Sequence, residues 1–411
     1  MEILFILLVL LVITRTFGEF AARLGQPVLV GELLAGISLG IVIQFSPDLF
    51  PIMKNINDNE VFTSLTDLGI FFLMVLAGLE MQPKELAQSS KRSLIIALGG
   101  MLLPLVSGIC LGWIFLPRSD FFVAQALFVG TALAVTAVPV AVKVLMDLNK
   151  LDSTSGRIIV SSAIFDDILS LLLLAVLIAI LRTGKLPSMF ALLTLCGQVT
   201  LFFGITIGIG VFILPRLEKL LKIGMTEEFE FSLLLVVALG FAVFAEALQL
   251  HFILGAFTAG LFFTRRTLNP QMFEGVKNRI SGITTGFLAP IFFASIGMRL
   301  DLSAVEKIPL FLFLLVVAAV IGKLVGAGLP AFWMTRSWKE ALIVGTGMNA
   351  RGAVGLIIAD IAMRQGLFLH PEPVPTVLAS LFSAIIVMAV VTTLLTPIGL
   401  RWVVSNLPVN K

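Results

Sequence analysis

Residues 158–181 read IIVSSAIFDDILSLLLLAVLIAIL, with two adjacent aspartates, Asp166 and Asp167, inside an otherwise apolar run. About 20 apolar helical residues cross a hydrocarbon core of about 30 Å, so this run is long enough to span a bilayer. An isolated carboxylate at the centre of such a helix costs about 3 kcal/mol on insertion scales, and such residues face protein or water rather than lipid. The stretch therefore gives two readings at once. The chain is built for a membrane, and this segment has something to bind.

The rest of the chain repeats the first reading. Of its 411 residues 58% are hydrophobic and 13% charged, with a mean hydropathy of +1.09. That is about half the charge of a soluble domain. A transmembrane β-barrel would show segments of about ten residues with alternating polarity instead of continuous runs. The composition points to an all-α polytopic membrane protein.

Reading apolar runs against charged or Pro/Gly-rich breaks predicts about thirteen spans. They lie at 2–22, 27–46, 62–82, 92–116, 121–145, 156–181, 187–214, 228–247, 250–264, 281–299, 308–333, 340–362 and 375–402. The first run starts with Glu2 and lacks a basic leader, so it reads as a membrane helix and not as a cleaved signal. If the loops alternate sides, nineteen of the 28 basic residues fall on one side and seven on the other. The positive-inside rule makes the richer side cytoplasmic, which puts the N-terminus outside and the C-terminus inside. Lys323 and Arg351 belong to neither side, because both lie well within spans.

Several function classes drop out. Cys110 and Cys196 lie far apart in apolar segments, and His251 and His370 supply no metal cluster. No G-x-x-x-x-G-K-[ST] or dinucleotide fingerprint is present, so no cofactor and no nucleotide-driven pump is expected. The net charge of +3 resides mostly in loop ends and implies no nucleic-acid partner. No catalytic cluster accompanies the acids, so an enzyme is the weakest reading.

Lys323, in IGKLVG, has small neighbours that let another helix approach closely, and an aspartate of the 166–167 pair is its available partner. A bridge that merely ties two helices together would leave the second carboxylate unexplained. Adjacent residues on a helix point about 100° apart, so one acid can meet a partner while the other faces a pathway. Two further segments look broken. LAVTAVPVAV has Thr136 before Pro139, with Thr131 just upstream, and GTGMNARGAVGL carries Asn349 and Arg351 among four glycines. Freed backbone inside a membrane is tolerated only against protein or a water-filled cavity, and broken helices present carbonyls and dipole ends to ions. The interrupted runs are seven spans apart. Runs 4–6 and 11–13 would therefore cross in opposite senses, the inverted-repeat arrangement of many secondary transporters.

In order along the chain, PVLVGELLAGISLG at 27–40, FFLMVLAGLEM at 71–81, TALAVTAVPVAVKVL at 131–145, SSAIFDDILSLLLLAVL at 161–177, LGAFTAGLFF at 254–263, APIFFASIGMRLDL at 289–302 and GMNARGAVGLIIA at 347–359 resemble the cation:proton antiporter-2 family, particularly its bacterial double-aspartate sodium/proton exchangers. The resemblance implies the Na+/H+ antiporter fold, with two unwound crossing helices, as a homodimer in the bacterial inner membrane. It implies a dimerisation domain at 1–90 and 223–307, a linker helix at 183–222, and a core ion-transport domain at 91–182 and 308–411. It assigns ion binding and proton coupling to Asp166, Asp167 and Lys323, with Asp167 as the essential ligand of transported Na+ and Asp166 paired to Lys323. Thr131, Thr136, Pro139, Asn349 and Arg351 fall on the crossover or ion path. Many relatives carry a proline where this chain has Ala350 and an acid where it has Ala353, which leaves the charge of Arg351 without an obvious counterpart. The nucleotide-binding regulatory domain of potassium-efflux relatives is not expected in this chain.

The expected activity is exchange of Na+, with Li+ as a second cation, for H+ by elevator-type alternating access. Carboxylates would bind either a partly dehydrated cation or protons, never both. If an arriving ion separates Asp166 from Lys323 and the lysine releases its proton, two protons exchange for one Na+ and transport is electrogenic. A K+/H+ antiporter using the same aspartates is the nearest alternative, and a cation channel is a more distant one.

Overall fold

The computed structural model describes residues 2–45, 56, 59–80, 91–136, 141, 145, 150, 153–183, 189–213, 216, 227–248, 250–263, 270–301 and 303–406. Helices α1 (Glu2–Arg23), α2 (Val28–Phe45), α3 (Glu60–Glu80), α4 (Lys91–Phe115), α5 (Phe122–Ala134) and α6 (Thr154–Thr183) come first. Then follow α7 (Met189–Gly208), α8 (Glu227–Ala247), α9 (Phe252–Phe262), α10 (Pro270–Ile283), α11 (Ala289–Met298), α12 (Pro309–Thr335), α13 (Trp338–Gly347), α14 (Ala353–Arg364) and α15 (Leu381–Asn406). Among the described residues nine helical stretches are long and apolar enough to cross a membrane, and shorter apolar helices occupy Phe122–Ala134, Ile168–Ile178 and Phe252–Phe262.

The sequence explains where the long helices fail. α5 stops at Ala134 because Val135 turns extended, at φ −66° and ψ 142°, so its 13 residues reach only about 20 Å. The run expected at 340–362 is divided into α13 and α14 by the non-helical residues Met348–Gly352. The run expected at 281–299 instead begins at Pro270, and a π-helical turn, Thr284–Leu288, joins the polar α10 to the apolar α11.

The chain forms two compact units. The first takes Met1–Arg15, Ser38–Lys84 and Pro187–Ser295. Within it α3 and α9 meet through Gly78 and Gly260, where a methyl group on either would collide with the other helix's backbone. Small residues at membrane helix contacts let backbones approach closely, which supplies the dispersion contact that water would drive elsewhere.

The second unit takes Thr16–Ile37, Glu85–Leu186 and Ile296–Lys411. The same device recurs between α4 and α12 at Gly99 and Gly326, and a Cβ on Gly322 would lie 3.2 Å from Pro104. These contacts flank Lys323, so α4 is pressed against the turn that carries it. Ile96, Ile159, Ala327, Val344, Met348 and Leu400 pack into one buried cluster across this unit. Trp113, Trp333, Trp338 and Trp402 are all more than half exposed near helix ends, as interfacial anchors should be. Cys110 and Cys196 are free and exposed on apolar helices.

Candidate functional site

All the described candidate residues lie in the second unit. α6 carries Asp166 and α12 carries Lys323, and both side chains are fully buried. Lys323 Nζ donates to Asp166 Oδ1 at 3.2 Å. Among the described residues, nothing donates to Asp166 Oδ2. Two desolvated charges are stable together only when the geometry is good and the remaining lone pairs are filled. Here one oxygen of the acid is filled and one is not.

Asp167 occupies the next position of α6, about 100° around the helix. Its side chain lies outside the described residues, as does Pro139. Thr131 and Thr136 mark the broken end of α5. Thr131 Oγ1 donates back to the Leu127 carbonyl at 2.8 Å, whereas the buried Thr136 Oγ1 has no partner among the described residues. At the other break Asn349 is 4% exposed, and its Oδ1 is equally unfilled.

Arg351 joins the two breaks. It is 1% exposed, and its guanidinium donates from Nη1 to the Asn349 carbonyl at 2.5 Å and from Nη2 to the Leu133 carbonyl at 2.6 Å and the Ala319 carbonyl at 3.0 Å. Leu133 is in the last turn of α5, and Ala319 is one turn before Lys323 on α12. A helix end leaves carbonyls without intrahelical donors and carries partial negative charge. The planar fork of an arginine answers both needs at once. The charge left without an acid at Ala353 is thus met by three carbonyl dipoles, and the negative charge of Asp166 acts on Arg351 as well. From α15, Thr393 donates its hydroxyl to the Arg351 carbonyl and holds the unwound segment from the far side.

Three features escape a reading of charge in apolar runs. Thr393 belongs to VTTLLTP, whose three threonines were the available signal. Ser162 and Ser170 sit one turn to either side of Asp166, both with 0% exposure. Asp360, 1% exposed at its side chain, lies near the end of α14 and is bracketed by Arg299 at 2.8 Å and Arg364 at 2.7 Å. Its i+4 arginine was readable, and Arg299, 61 residues away, was not.

The comparisons with known proteins bear on this geometry directly. The family described as "Sodium/hydrogen exchanger, transmembrane" matches residues 6–406. The chain is 31% identical over 401 residues to the Na+/H+-K+ antiporter GerN of Bacillus cereus, covering 98% of this chain and 96% of that one. It is 28% identical over 410 residues to a Na+/H+ antiporter of Enterococcus hirae, covering 100% of both. Its fold is similar to that of the sodium proton antiporter MjNhaP1 from Methanocaldococcus jannaschii, with a TM-score of 0.72 at 18% identity over 98% of this chain and 97% of that one. With the family matched over nearly its whole length, the chain belongs to the sodium/hydrogen exchangers of the cation:proton antiporter superfamily, multi-pass membrane proteins that carry out secondary active Na+/H+ antiport.

Proposed function

We propose that Asp167 takes Na+ and H+ in turn, that Asp166 and Lys323 form the pair that responds to its occupancy, and that the chain is a double-aspartate member of the cation:proton antiporter-2 family. The observation that carries this is the buried Asp166–Lys323 bond, whose second carboxylate oxygen has no partner among the described residues. A pair meant only to tie helices would gain by filling that oxygen. A pair meant to open gains by leaving it ready for a cation or a proton. Asp167 enters through its place next to Asp166 on α6. The unfilled oxygens of Thr136 and Asn349 are hard donors suited to a partly dehydrated Na+, with Thr131 and Pro139 on the same crossover.

In the cation-loaded state Asp166 and Asp167 are deprotonated and Lys323 has released its proton. In the proton-loaded state Asp167 is neutral and Lys323 again bonds Asp166. Two protons then exchange for one Na+, and the cycle is electrogenic. The proposed carrier is a homodimer with thirteen crossings, related by inverted repeats. Residues 1–90 and 223–307 form the dimerisation domain, 183–222 the linker, and 91–182 and 308–411 the core that moves as an elevator. The nineteen-to-seven distribution of basic residues supports an N-terminus outside and a C-terminus in the cytoplasm, in a bacterial inner membrane.

A second reading, K+/H+ exchange at the same site, is favoured by the description of GerN as a Na+/H+-K+ antiporter. Cation-dependent proton movement in proteoliposomes, scanned over Na+, Li+ and K+ across pH, separates the two. Asp167→Asn should abolish exchange with every cation, and normal transport by that variant would overturn the assignment.

A further inference from the structure

One face of α6 is lined by Ser155, Ser162, Asp166 and Ser170, with Ile159 between the first two. All five side chains are buried to 1% exposure or less. Among the described residues, Ser162 Oγ, Asp166 Oδ2 and Ser170 Oγ each lack a hydrogen-bond partner. That is unusual within this molecule. Serines and threonines in its helices commonly donate to the carbonyl four residues back, as Ser161 on the same helix does to Arg157 at 2.7 Å and Thr258 to Leu254 at 2.6 Å. Ser162 and Ser170 make no such bond among the described residues.

Three consecutive polar groups, each one turn apart and each unfilled, share one physical remedy. Buried hydroxyls and carboxylates without protein partners are satisfied by internal water, which makes two to four bonds. Residues four apart rise about 6 Å along a helix, and a water accepting and donating bonds of about 2.8 Å bridges that gap. Nearer the N-terminal end of α6, Ser155 donates to the carboxylate of Glu340. Glu340 lines a cavity of about 480 Å³ with Thr154, Arg157 and Ile158 of α6. Between this cavity and Ser162 lies Ile159, packed in the buried apolar cluster of this unit.

We infer that Ser162 and Ser170 hold internal water against Asp166, and that this hydroxyl–water ladder hands protons to the acid by a route distinct from the Thr136 and Asn349 oxygens proposed for the cation. The inference rests on the proposed coupling role of Asp166 and Lys323. In each transfer a hydroxyl or water accepts one hydrogen and releases another to the next oxygen. The last proton reaches Asp166 Oδ2 and passes from that carboxyl to Lys323 Nζ, so bulk water loses the one proton that the amine gains and Asp166 ends ionised.

Ser162→Val fills the water position with carbon and removes the hydroxyl, while Ser162→Ala removes only the hydroxyl and leaves room for solvent. In proteoliposomes Ser162→Val should slow proton-driven Na+ efflux at least tenfold and Ser162→Ala about threefold. Na+ affinity, measured by calorimetry on the same purified proteins at alkaline pH, should stay within twofold of the parent, and thermal melting reports whether each variant is folded. The slowing in D2O should grow in Ser162→Val, because proton delivery becomes limiting. Efflux by a folded Ser162→Val within twofold of the parent would overturn the ladder. So would a parallel loss of Na+ affinity, which would make Ser162 a cation ligand. Failure of the parent reading looks different: exchange would survive Asp167→Asn, whatever Ser162 does.

Discussion

Two buried carboxylates of the second unit, Asp360 and Asp166, are treated in opposite ways. Asp360 is gripped by two arginines, at 2.8 and 2.7 Å, near the C-terminal end of α14. Asp166 meets a lysine at 3.2 Å on one oxygen and has the other unfilled among the described residues. Arginine stays charged at every accessible pH and its fork holds both oxygens of a carboxylate, whereas a desolvated lysine can give up its proton. The first arrangement is a lock. The second is poised to open. Burial alone therefore does not separate the two acids; the kind of cation beside each does.

The sharpest way to break this contrast is at Lys323. Lys323→Gln removes the releasable proton, so current driven by an imposed membrane potential without ion gradients should fall to background. An undiminished current would make Lys323 as fixed as the arginines around Asp360. Asp360→Asn tests the other side. It leaves Arg299 and Arg364 facing an uncharged amide and should cost about 2 kcal/mol, reduced from the full buried-pair penalty because both arginines are partly exposed. A lower Tm with an unchanged Na+ concentration for half-maximal exchange is the expected pair of results.

Arg351→Lys probes the joint between the broken helices. An ammonium keeps the charge but cannot span the Asn349, Leu133 and Ala319 carbonyls, so turnover should drop about tenfold, equivalent to about 1.4 kcal/mol. Equal turnover would mean that the charge suffices without the fork. The smallest effect belongs to Asp301, beyond the end of α11 and half exposed. Its carboxyl lies below the usual carboxylate range, held there first by the Ser303 hydroxyl, against desolvation, and then by the Ser303 N–H and by Lys307. A depressed carboxyl stabilises the fold above its unfolded value and loses that contribution as pH falls through the folded one. Ser303→Ala should thus lower stability by about 0.3 kcal/mol at neutral pH, with the difference vanishing in melting curves as pH falls through the lowered value of the carboxyl.

The sequence made charges legible because they stand out against apolar runs. Asp166, Lys323 and Arg351 could be singled out; elimination left Lys323 with one of the two adjacent aspartates, and the family resemblance pointed to Asp166. The breaks after Ala134 and at Met348–Gly352 were readable from proline and glycine, since both disrupt a helix locally. What Arg351 binds was not readable. Its acceptors are main-chain carbonyls, which every residue owns, and only folding selects Leu133 and Ala319 from the rest. Asp360 was passed over because an acid near the end of a run looks like a boundary residue until Arg299 closes on it. Ser162 and Ser170 look like ordinary small helix residues until their unmade bonds are seen.

Because Arg351 is a guanidinium held by three main-chain carbonyls, its charge stays fixed through a cycle. On the proposed stoichiometry, Asp166, Asp167, Arg351 and the bound Na+ cancel when Lys323 is deprotonated, so the loaded carrier crosses as an electrically silent body. With protons aboard, the same four side chains sum to one positive charge. A potential of 100 mV acts on that charge with about 2.3 kcal/mol. Voltage, then, drives only the returning stroke, and a cell that depolarises would stall this exchanger on its way home, not on its way out.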